Sequence, residues 1–496
     1  MKHILLALIL AVAGTLAIGS TATQTPANPS LSKNILNSIA NGDADGLRVQ
    51  LLSGADVNAK NSQVWTPLHF AAEKNRVEMA VYLISQNADI NMHSKPGGTP
   101  LHEAASSGST EMTALLLAKG ADKNISTNNG KTPLDYAIEM SNKSVVTLLQ
   151  SSPPVPKGRR IRKIVAEKFP DGNVYVGGTT GWRKRATGSG VIMDREFSYA
   201  TPENDFKQST IHPRPGIWNW ELSDAWIKKC AEQEQVLRLH SPISPQCSSW
   251  AKDPARTPEE LEQNLIEYTT AIYKRYDKYK HVKWIDVVNE TVLSNGEWHG
   301  PGKGSWQCPW RKIGYDNEHP LKPPLYIKMV FKIATQNAPG IKLIINQNGG
   351  MQKPMWDKVK ALVPYLREQG LRVDGIGWQA HISTGWEKKD ENMDRLCDLI
   401  DWAHTNNLSF HVTEQNVWLD KNRDLNAQAD TFVAILKALL ERRDNGVVTW
   451  NTWNLSDRDA WRQKQRREGC IFDRQYRAKP AYYAIQKLLE NPPPAE

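Results

Sequence analysis

One short phrase recurs at a fixed step, and that step constrains the first third of the chain more than its composition does. The run "TPLHFAA" begins at Thr66, "TPLHEAA" at Thr99 and "TPLDYA" at Thr132, each 33 residues after the last. "GADVN" at Gly54, "NADIN" at Asn87 and "GADKN" at Gly120 keep the same interval. Thr caps the start of a helix, and Pro fits the first helical position because an N–H there has no partner anyway. The Gly or Asn that opens "GAD" or "NAD" ends a second helix by taking a left-handed conformation. Short helix pairs cannot bury an apolar face alone, so neighbouring units must stack. Leu68, Ala71, Leu101, Ala104, Leu134 and Ala137 are the positions expected between them.

The period and the T-P-L-H-x-A pattern resemble the ankyrin repeat. The resemblance covers residues 33–150, with "SIANGDADGLRVQLLS" as an incomplete opening unit that caps the stack. It implies an all-α domain that binds a protein partner and has no chemistry of its own; a spacer or stabilising cap is the alternative. "SSPPVPKGRRIRK" follows, and its three Pro and basic run predict a stiff, soluble linker over 151–163.

Ahead of the repeats, "MKHILLALILAVAGTLAIGSTATQ" sets a Lys before an apolar run from Ile4 to Ile18, with Ser20 and Ala22 placed for cleavage. This predicts a signal peptide over 1–22 and a protein that is secreted, periplasmic or at the cell surface. The run is short for a membrane span, and no other segment is apolar enough for one. The five Cys (Cys230, Cys247, Cys308, Cys397 and Cys470) form no CxxC pair. An odd count leaves at least one free or bridging two chains.

After residue 164 the rhythm changes. Eight β-rich runs recur: "NVYVGG" from Asn173, "FSYATPEN" from Phe197, "VLRLHSP" from Val236, "VKWIDVVNE" from Val282, "IKLIINQN" from Ile341, "VDGIGWQAH" from Val373, "LSFHVTEQN" from Leu408 and "GVVTWNTWN" from Gly446. Amphipathic stretches such as "TPEELEQNLIEYTTAIYKRYDKY" and "AQADTFVAILKALLERR" separate them. Strands alternating with helices over 164–490 predict an α/β fold, the (β/α)8 or TIM barrel.

Each run begins apolar and ends polar. The ends supply Glu203 and Asn204, His240, Asn289 and Glu290, Asn346, Gln379 and His381, Glu414, and Trp453. A single such residue is usually satisfied by a loop, but polar groups gathered from seven strands mark the catalytic face of a barrel. Glu290 and Glu414 end the fourth and seventh runs and would face each other across the mouth. Of the 18 Trp, all but Trp65 belong to this part of the chain, more than a core needs and suited to stacking sugar rings. Paired carboxylates with such aromatics suggest glycoside hydrolysis.

Here the sequence resembles the family 10 glycoside hydrolases, endo-1,4-β-xylanases of (β/α)8 fold. "TPENDFK" (Thr201–Lys207) is similar to the family's TPENxxK, and "DVVNE" (Asp286–Glu290) matches its acid/base motif. "GIGWQAH" (Gly375–His381) is similar to GIGxQxH, "TEQN" (Thr413–Asn416) to the nucleophile's TELD, and "WNLSDRDAWR" (Trp453–Arg462) to WGxxDxxSWR. The resemblance implies a retaining enzyme with Glu290 as acid/base and Glu414 as nucleophile. It implies His381 orienting Glu414 and Asn289 on the sugar 2-hydroxyl. Asn204, Lys207, His240 and Gln379 would hold neighbouring hydroxyls, between walls of Trp453 and Trp461.

Departures bear on substrate preference. The family's third-strand RGHxLVWH is "RLHSPISP" here, with Ser244 and Pro245 in place of a Trp-His pair that helps shape the cleavage subsite. Asn416 replaces the acid of TELD, and "NQNG" replaces NDYN. "SNGEWHGPGKGSWQCPWRKIG" (Ser294–Gly314), just after the acid/base, reads either as an aromatic wall over the cleft or as a loop packing its own Trp. Other retaining β-glycanases on this fold also end these strands in Asn-Glu and Glu, and a weakly catalytic glycan-binding scaffold is a third reading. The net charge of +9 is dispersed apart from "KGRRIRK" and "RQKQRR", so no nucleic-acid partner is expected. The sequence holds no metal-ligand cluster, phosphate loop or dinucleotide fingerprint, and no metal or cofactor is expected.

Overall fold

The computed structural model describes residues 29–151, 154–186, 188–240, 242–302, 306–389, 391–460 and 468–496. The expected signal peptide, residues 1–22, and Trp461 lie outside the described residues.

Four helix pairs open the described chain: Pro29–Asn41 with Ala44–Leu52, Pro67–Glu73 with Val77–Ser85, Pro100–Ser107 with Thr110–Ala118, and Pro133–Glu139 with Lys143–Ser151. Thr66, Thr99 and Thr132 each stand extended before a helix with Pro at its start. In the first two, the His three residues on links the repeat to the next. His69 Nδ1 accepts the Thr66 backbone N–H at 3.2 Å while its Nε2 meets Gly98 O at 3.2 Å, and His102 repeats this with Thr99 (3.0 Å) and Lys131 O (3.1 Å). Burial pushes both imidazoles down, His69 to about 4, which keeps Nδ1 unprotonated and able to accept. Gly54, Asn87 and Gly120 carry φ of +90°, +66° and +97°, the left-handed turns expected of them. Leu68, Ala71, Leu101, Ala104 and Ala137 are fully buried between repeats, and Leu134 packs against them from a half-buried position.

The helix Ile161–Lys168 leads into the barrel. Helix Thr110–Ala118 of the stack lies against helix Gly188–Glu196, and Arg160 Nη2 donates to Lys119 O at 3.3 Å.

The barrel strands are β1 (Val174–Thr180), β2 (Tyr199–Pro202), β3 (Val236–Leu239), β4 (Val282–Asn289), β5 (Lys342–Gln347), β6 (Gly375–Trp378), β7 (His381–Ser383), β8 (Ser409–Trp418) and β9 (Val448–Thr452). Every pairing is parallel, and the β6–β8 ladder closes the ring at eight strands. β7 is a three-residue spur on the far end of β8. The run "VDGIGWQAH" therefore forms two strands, split where Gln379 and Ala380 step out of the ladder.

Helices cover the outside as the periodicity predicts. In Pro258–Tyr276 the Thr257 hydroxyl accepts the Glu260 N–H at 3.2 Å and Glu260 Oε2 accepts the Thr257 N–H at 2.9 Å. Its inner face buries Leu261, Leu265, Tyr268, Ile272 and Tyr276.

Inside the ring, Tyr175, Tyr199 and Trp284 pack edge to face at 4.8–6.3 Å between centroids. Deeper toward the mouth, Arg238 and Asp286 form an ion pair at 3.2 Å with both side chains at 0% exposure. None of the five Cys is bridged; burial pushes the Cys230 and Cys247 thiols up to about 12 and leaves them unreactive. Among the described residues, no helix is long and apolar enough to cross a membrane.

Candidate active site

Two backbone irregularities aim the two carboxylates. β4 shifts register against β5 between Asp286 and Val288, and β8 shifts against β9 between Val412 and Gln415. Such bulges re-aim side chains at barrel rims. Glu290 follows the first and Glu414 sits within the second. Glu290 also adopts φ +56°, a left-handed conformation that costs a non-Gly residue about 1–2 kcal/mol. Its own backbone holds it there: the N–H donates to Asn346 O at 2.9 Å, and the carbonyl meets His299 Nδ1 at 3.0 Å.

The two carboxyls line one cavity of about 480 Å³ with Glu203, Asn204, Lys207, His240, Gln246, Trp306, Asn348, Gly349, Gln379, His381, Trp418 and Trp453. The described strand-end residues singled out from the sequence therefore meet at one mouth, with Asn289 and Asn346 bonded just behind it. Gln379 Nε2 donates to Glu290 Oε1 at 3.1 Å and to Asn289 Oδ1 at 2.9 Å. Asn346 Nδ2 donates to the same Asn289 oxygen at 2.8 Å and to Glu414 Oε1 at 3.3 Å. The two amides bridge one carboxyl to the other.

Glu414 faces imidazoles. His381 Nε2 lies 3.2 Å from Oε2, and His240 Nε2 lies 3.6 Å from Oε1. Asp286 fixes His240 through Nδ1 at 2.8 Å. Asn416 meets His381 Nδ1 through Oδ1 at 3.1 Å, because its Nδ2 is committed to Trp453 O at 2.6 Å. A neutral amide thus stands where the resemblance places an acid. Trp453 lies edge-on to His240 at 5.0 Å, and Trp418 stacks on His381 at 5.9 Å and 12°.

The carboxyls are pushed in opposite directions. Burial alone would raise Glu414, but His240, His381 and Arg238 outweigh it and hold it near about 2. Of these, His240 pulls Glu414 down most, followed by His381 and then Arg238, while burial lowers His240 itself. Glu290 is raised, first by burial and then by the negative charge of Glu414; Gln379, Lys207 and Trp306 oppose this only in part. The two carboxyls facing one cavity are therefore held apart in acidity, Glu414 ionising more readily than usual and Glu290 less readily. Lys207 is lowered by burial, but four surrounding carboxylates favour its charged form, and its Nζ donates to Gln246.

Several lining residues were not picked out from sequence. Trp418 follows Glu414 and Asn416 at a step of two, which a strand predicts. Behind the lining, Lys184 donates to Glu203 Oε2 at 2.5 Å and carries no local signal. The Gly- and Trp-rich loop does both things read for it: Trp298 and Trp310 are buried in the core, and Trp306 faces the cavity. Among the described residues, no group of His, Cys, Asp or Glu is arranged to hold a metal ion.

A parallel eight-stranded barrel with two buried carboxyls of opposite displacement at its carboxyl-end mouth is the architecture of a glycoside hydrolase. The family model "Glycosyl hydrolase family 10" matches residues 165–488, and "Ankyrin repeats (3 copies)" matches 35–127 and 82–157. The chain belongs to glycosyl hydrolase family 10, with ankyrin repeats ahead of the catalytic barrel. It is 26% identical over 345 residues to endo-1,4-beta-xylanase B of Thermotoga neapolitana, covering 66% of this chain and 91% of that one. It is 30% identical over 322 residues to endo-1,4-beta-xylanase A of Caldicellulosiruptor saccharolyticus (60% and 88%). The longer endo-1,4-beta-xylanase C of Paenibacillus barcinonensis is spanned over only 28% of its length. Native xylanase 10B from Thermotoga maritima shares the barrel fold, with a TM-score of 0.57 and 24% identity over 67% of this chain and 98% of that one.

Proposed function

We propose that this protein is a retaining endo-1,4-β-xylanase, with Glu414 as nucleophile and Glu290 as acid/base. The observation that carries the assignment is the opposite displacement of two buried carboxyls in one cavity. Glu414 attacks the anomeric carbon, and the bond to the glycosidic oxygen breaks. That oxygen takes the Glu290 proton, leaving a glycosyl ester on Glu414. Glu290, now ionised, takes a proton from water; the oxygen of that water attacks the anomeric carbon and the ester bond breaks. His381 keeps Glu414 oriented. Asn289 has its oxygen committed twice, so its amide nitrogen is the end that meets the 2-hydroxyl, where contacts tighten in the transition state. Asn204, Lys207, His240 and Gln379 hold neighbouring hydroxyls, and Trp453 stacks a xylose ring.

The domain limits follow the same reading: a signal peptide over 1–22 for export, ankyrin repeats over 33–150 that meet a protein partner, a linker over 151–163 and the barrel over 164–490. Export suits a substrate too large to enter a cell.

The test is reducing-sugar release from xylan by the purified protein, with mixed-linkage glucan and mannan alongside and Glu414→Ala as control. Xylan cleavage that disappears in the variant is the expected result. Cleavage of another glycan alone would move the substrate, and no cleavage, with binding kept by the variant, would favour a glycan-binding scaffold.

A further inference from the structure

The loop between β4 and β5 carries three indoles, and they have different fates. Trp298 and Trp310 are 7% and 0% exposed in the core, whereas Trp306 is 46% exposed. A large apolar ring left uncovered at a cavity mouth calls for a reason. Here its polar end is pinned, because Trp306 Nε1 donates to Glu290 Oε2 at 2.7 Å. Glu290 Oε1 accepts from Gln379 Nε2 at 3.1 Å, so each oxygen of this carboxyl takes one N–H from opposite sides of the cavity. Gln379 approaches from the end of β6, which also serves Asn289. Trp306 approaches from the loop after β4 and stands partly exposed at the cavity.

We propose that Trp306 is a positioning residue for the acid/base: its N–H fixes the rotation of the Glu290 carboxyl, and its ring forms the wall for the sugar that leaves. The inference rests on Glu290 being the acid/base. The geometry gives the reason for each half. A carboxyl held at both oxygens cannot turn about its last bond, so its remaining lone-pair direction is fixed on the glycosidic oxygen. The group protonating that oxygen stands beside the leaving sugar, so an indole bonded to it borders that sugar rather than the one joined to Glu414. The run after β3 brings no indole to the mouth, since Ser244 and Pro245 stand there and Gln246 lines the cavity instead. Trp306 supplies from a loop what that strand lacks.

An N–H donated to a carboxylate favours its ionised form. The other groups acting on Glu290 are Glu414 on β8, which raises it, and Gln379 after β6 and Lys207 after β2, which lower it. His240 after β3, His381 on β7, and Glu203 line the same cavity, and His299 bonds the Glu290 carbonyl. None of these changes when the indole N–H is removed. Trp306→Phe should therefore move the alkaline limb of kcat/KM upward by about 0.5–1 pH unit, water replacing part of the lost hydrogen bond.

The experiment compares wild type, Trp306→Phe, Trp306→Ala and Glu290→Ala on xylohexaose and on 2,4-dinitrophenyl β-xylobioside, whose leaving group needs no proton. For Trp306→Phe the loss in kcat/KM on xylohexaose should exceed the loss on the aryl glycoside by about tenfold, within the range general acid catalysis supplies. Trp306→Ala should add a rise in KM for xylohexaose by removing the wall. A purely structural role would lower both substrates equally and leave the limb in place, and that result overturns the proposal. If Glu290→Ala also keeps the alkaline limb, Glu290 is not the acid/base and both readings fall. If Glu290→Ala removes the limb while Trp306→Phe changes neither limb nor ratio, the role of Trp306 alone is overturned.

Discussion

Asp286→Asn is a severe change hidden in a small one. Asp286 sits at 0% exposure in the barrel, where its oxygens accept Arg238 Nη1 at 3.2 and 3.3 Å and His240 Nδ1 at 2.8 Å. The amide keeps the shape but loses the charge and turns one acceptor into a donor. Arg238, also at 0% exposure, then keeps its charge in a site with no adjacent carboxylate. Breaking a buried pair from one side costs about 3–5 kcal/mol. Glu414 lies near enough to favour the Arg238 charge and takes up part of that, so the expected loss is about 3 kcal/mol. For a domain of this size each kcal/mol moves Tm by about 2 °C, giving a drop of about 6 °C. Tryptophan fluorescence is the assay, because every Trp but Trp65 lies in the barrel half of the chain and the melt reports the barrel, not the repeats. The pair Arg238→Met with Asp286→Leu should melt above Asp286→Asn, since it removes both charges. A single variant melting within 2 °C of wild type, or a double variant less stable than the single, would refute the account.

The pH profile follows from the signs of the shifts. Activity needs Glu414 ionised and Glu290 protonated, so with Glu414 near about 2 and Glu290 raised above 4.5, kcat/KM on xylohexaose should hold a plateau across pH 4.5; an acidic limb centred at or above 4.5 would contradict it. Glu290→Gln should abolish turnover yet raise stability at pH 7 by about 0.5–2 kcal/mol. The folded pKa of Glu290 lies above its unfolded value, so wild type loses stability as pH climbs from the unfolded to the folded value; the gain in the variant, read by denaturant melts, should shrink below pH 4. Thr257→Ala removes a two-way cap and should cost the barrel about 1 kcal/mol in the same melts without changing kcat.

The sequence announced what depends on residue type and period. Eight apolar runs with polar ends become eight parallel strands because alternating sheet and helix can close only that way, and Glu290, Glu414, His240, Gln379 and His381 reach one mouth because they share one end of those strands. The Thr-Pro starts and left-handed Gly54, Asn87 and Gly120 were equally readable, since one local conformation explains each. The two bulges were not readable, because register belongs to a pair of strands and no residue type declares it. The left-handed backbone of Glu290 is likewise imposed by Asn346 and His299, one of them far away in the chain. Loops obey no period, so "SNGEWHGPGKGSWQCPW" signalled aromatic weight without saying which indole would turn to the cavity.

The charges around the mouth explain why the two carboxyls differ and why they can exchange roles. Arg238 and Lys207 are positive, Asp286 and Glu414 negative. Burial lowers Lys207, and Glu414, Glu203 and Asp286 are among the groups that oppose this by favouring its charged form. The charges of these four groups cancel among themselves only while Glu290 stays protonated. Ionising it in the free enzyme would leave a net buried negative charge, which low dielectric makes costly. When Glu414 becomes an ester it loses its charge in the same step that Glu290 gives up its proton, so the total does not change. The reaction moves one negative charge across the cavity and creates none. Removing a positive charge should therefore act on Glu290 first. Lys207→Met should move the alkaline limb of kcat/KM upward, because the carboxyl then faces Glu414 with less opposition. A limb that stayed in place, measured on xylohexaose from pH 4 to 10, would mean that Lys207 is neutral in the free enzyme and that the balance lies elsewhere.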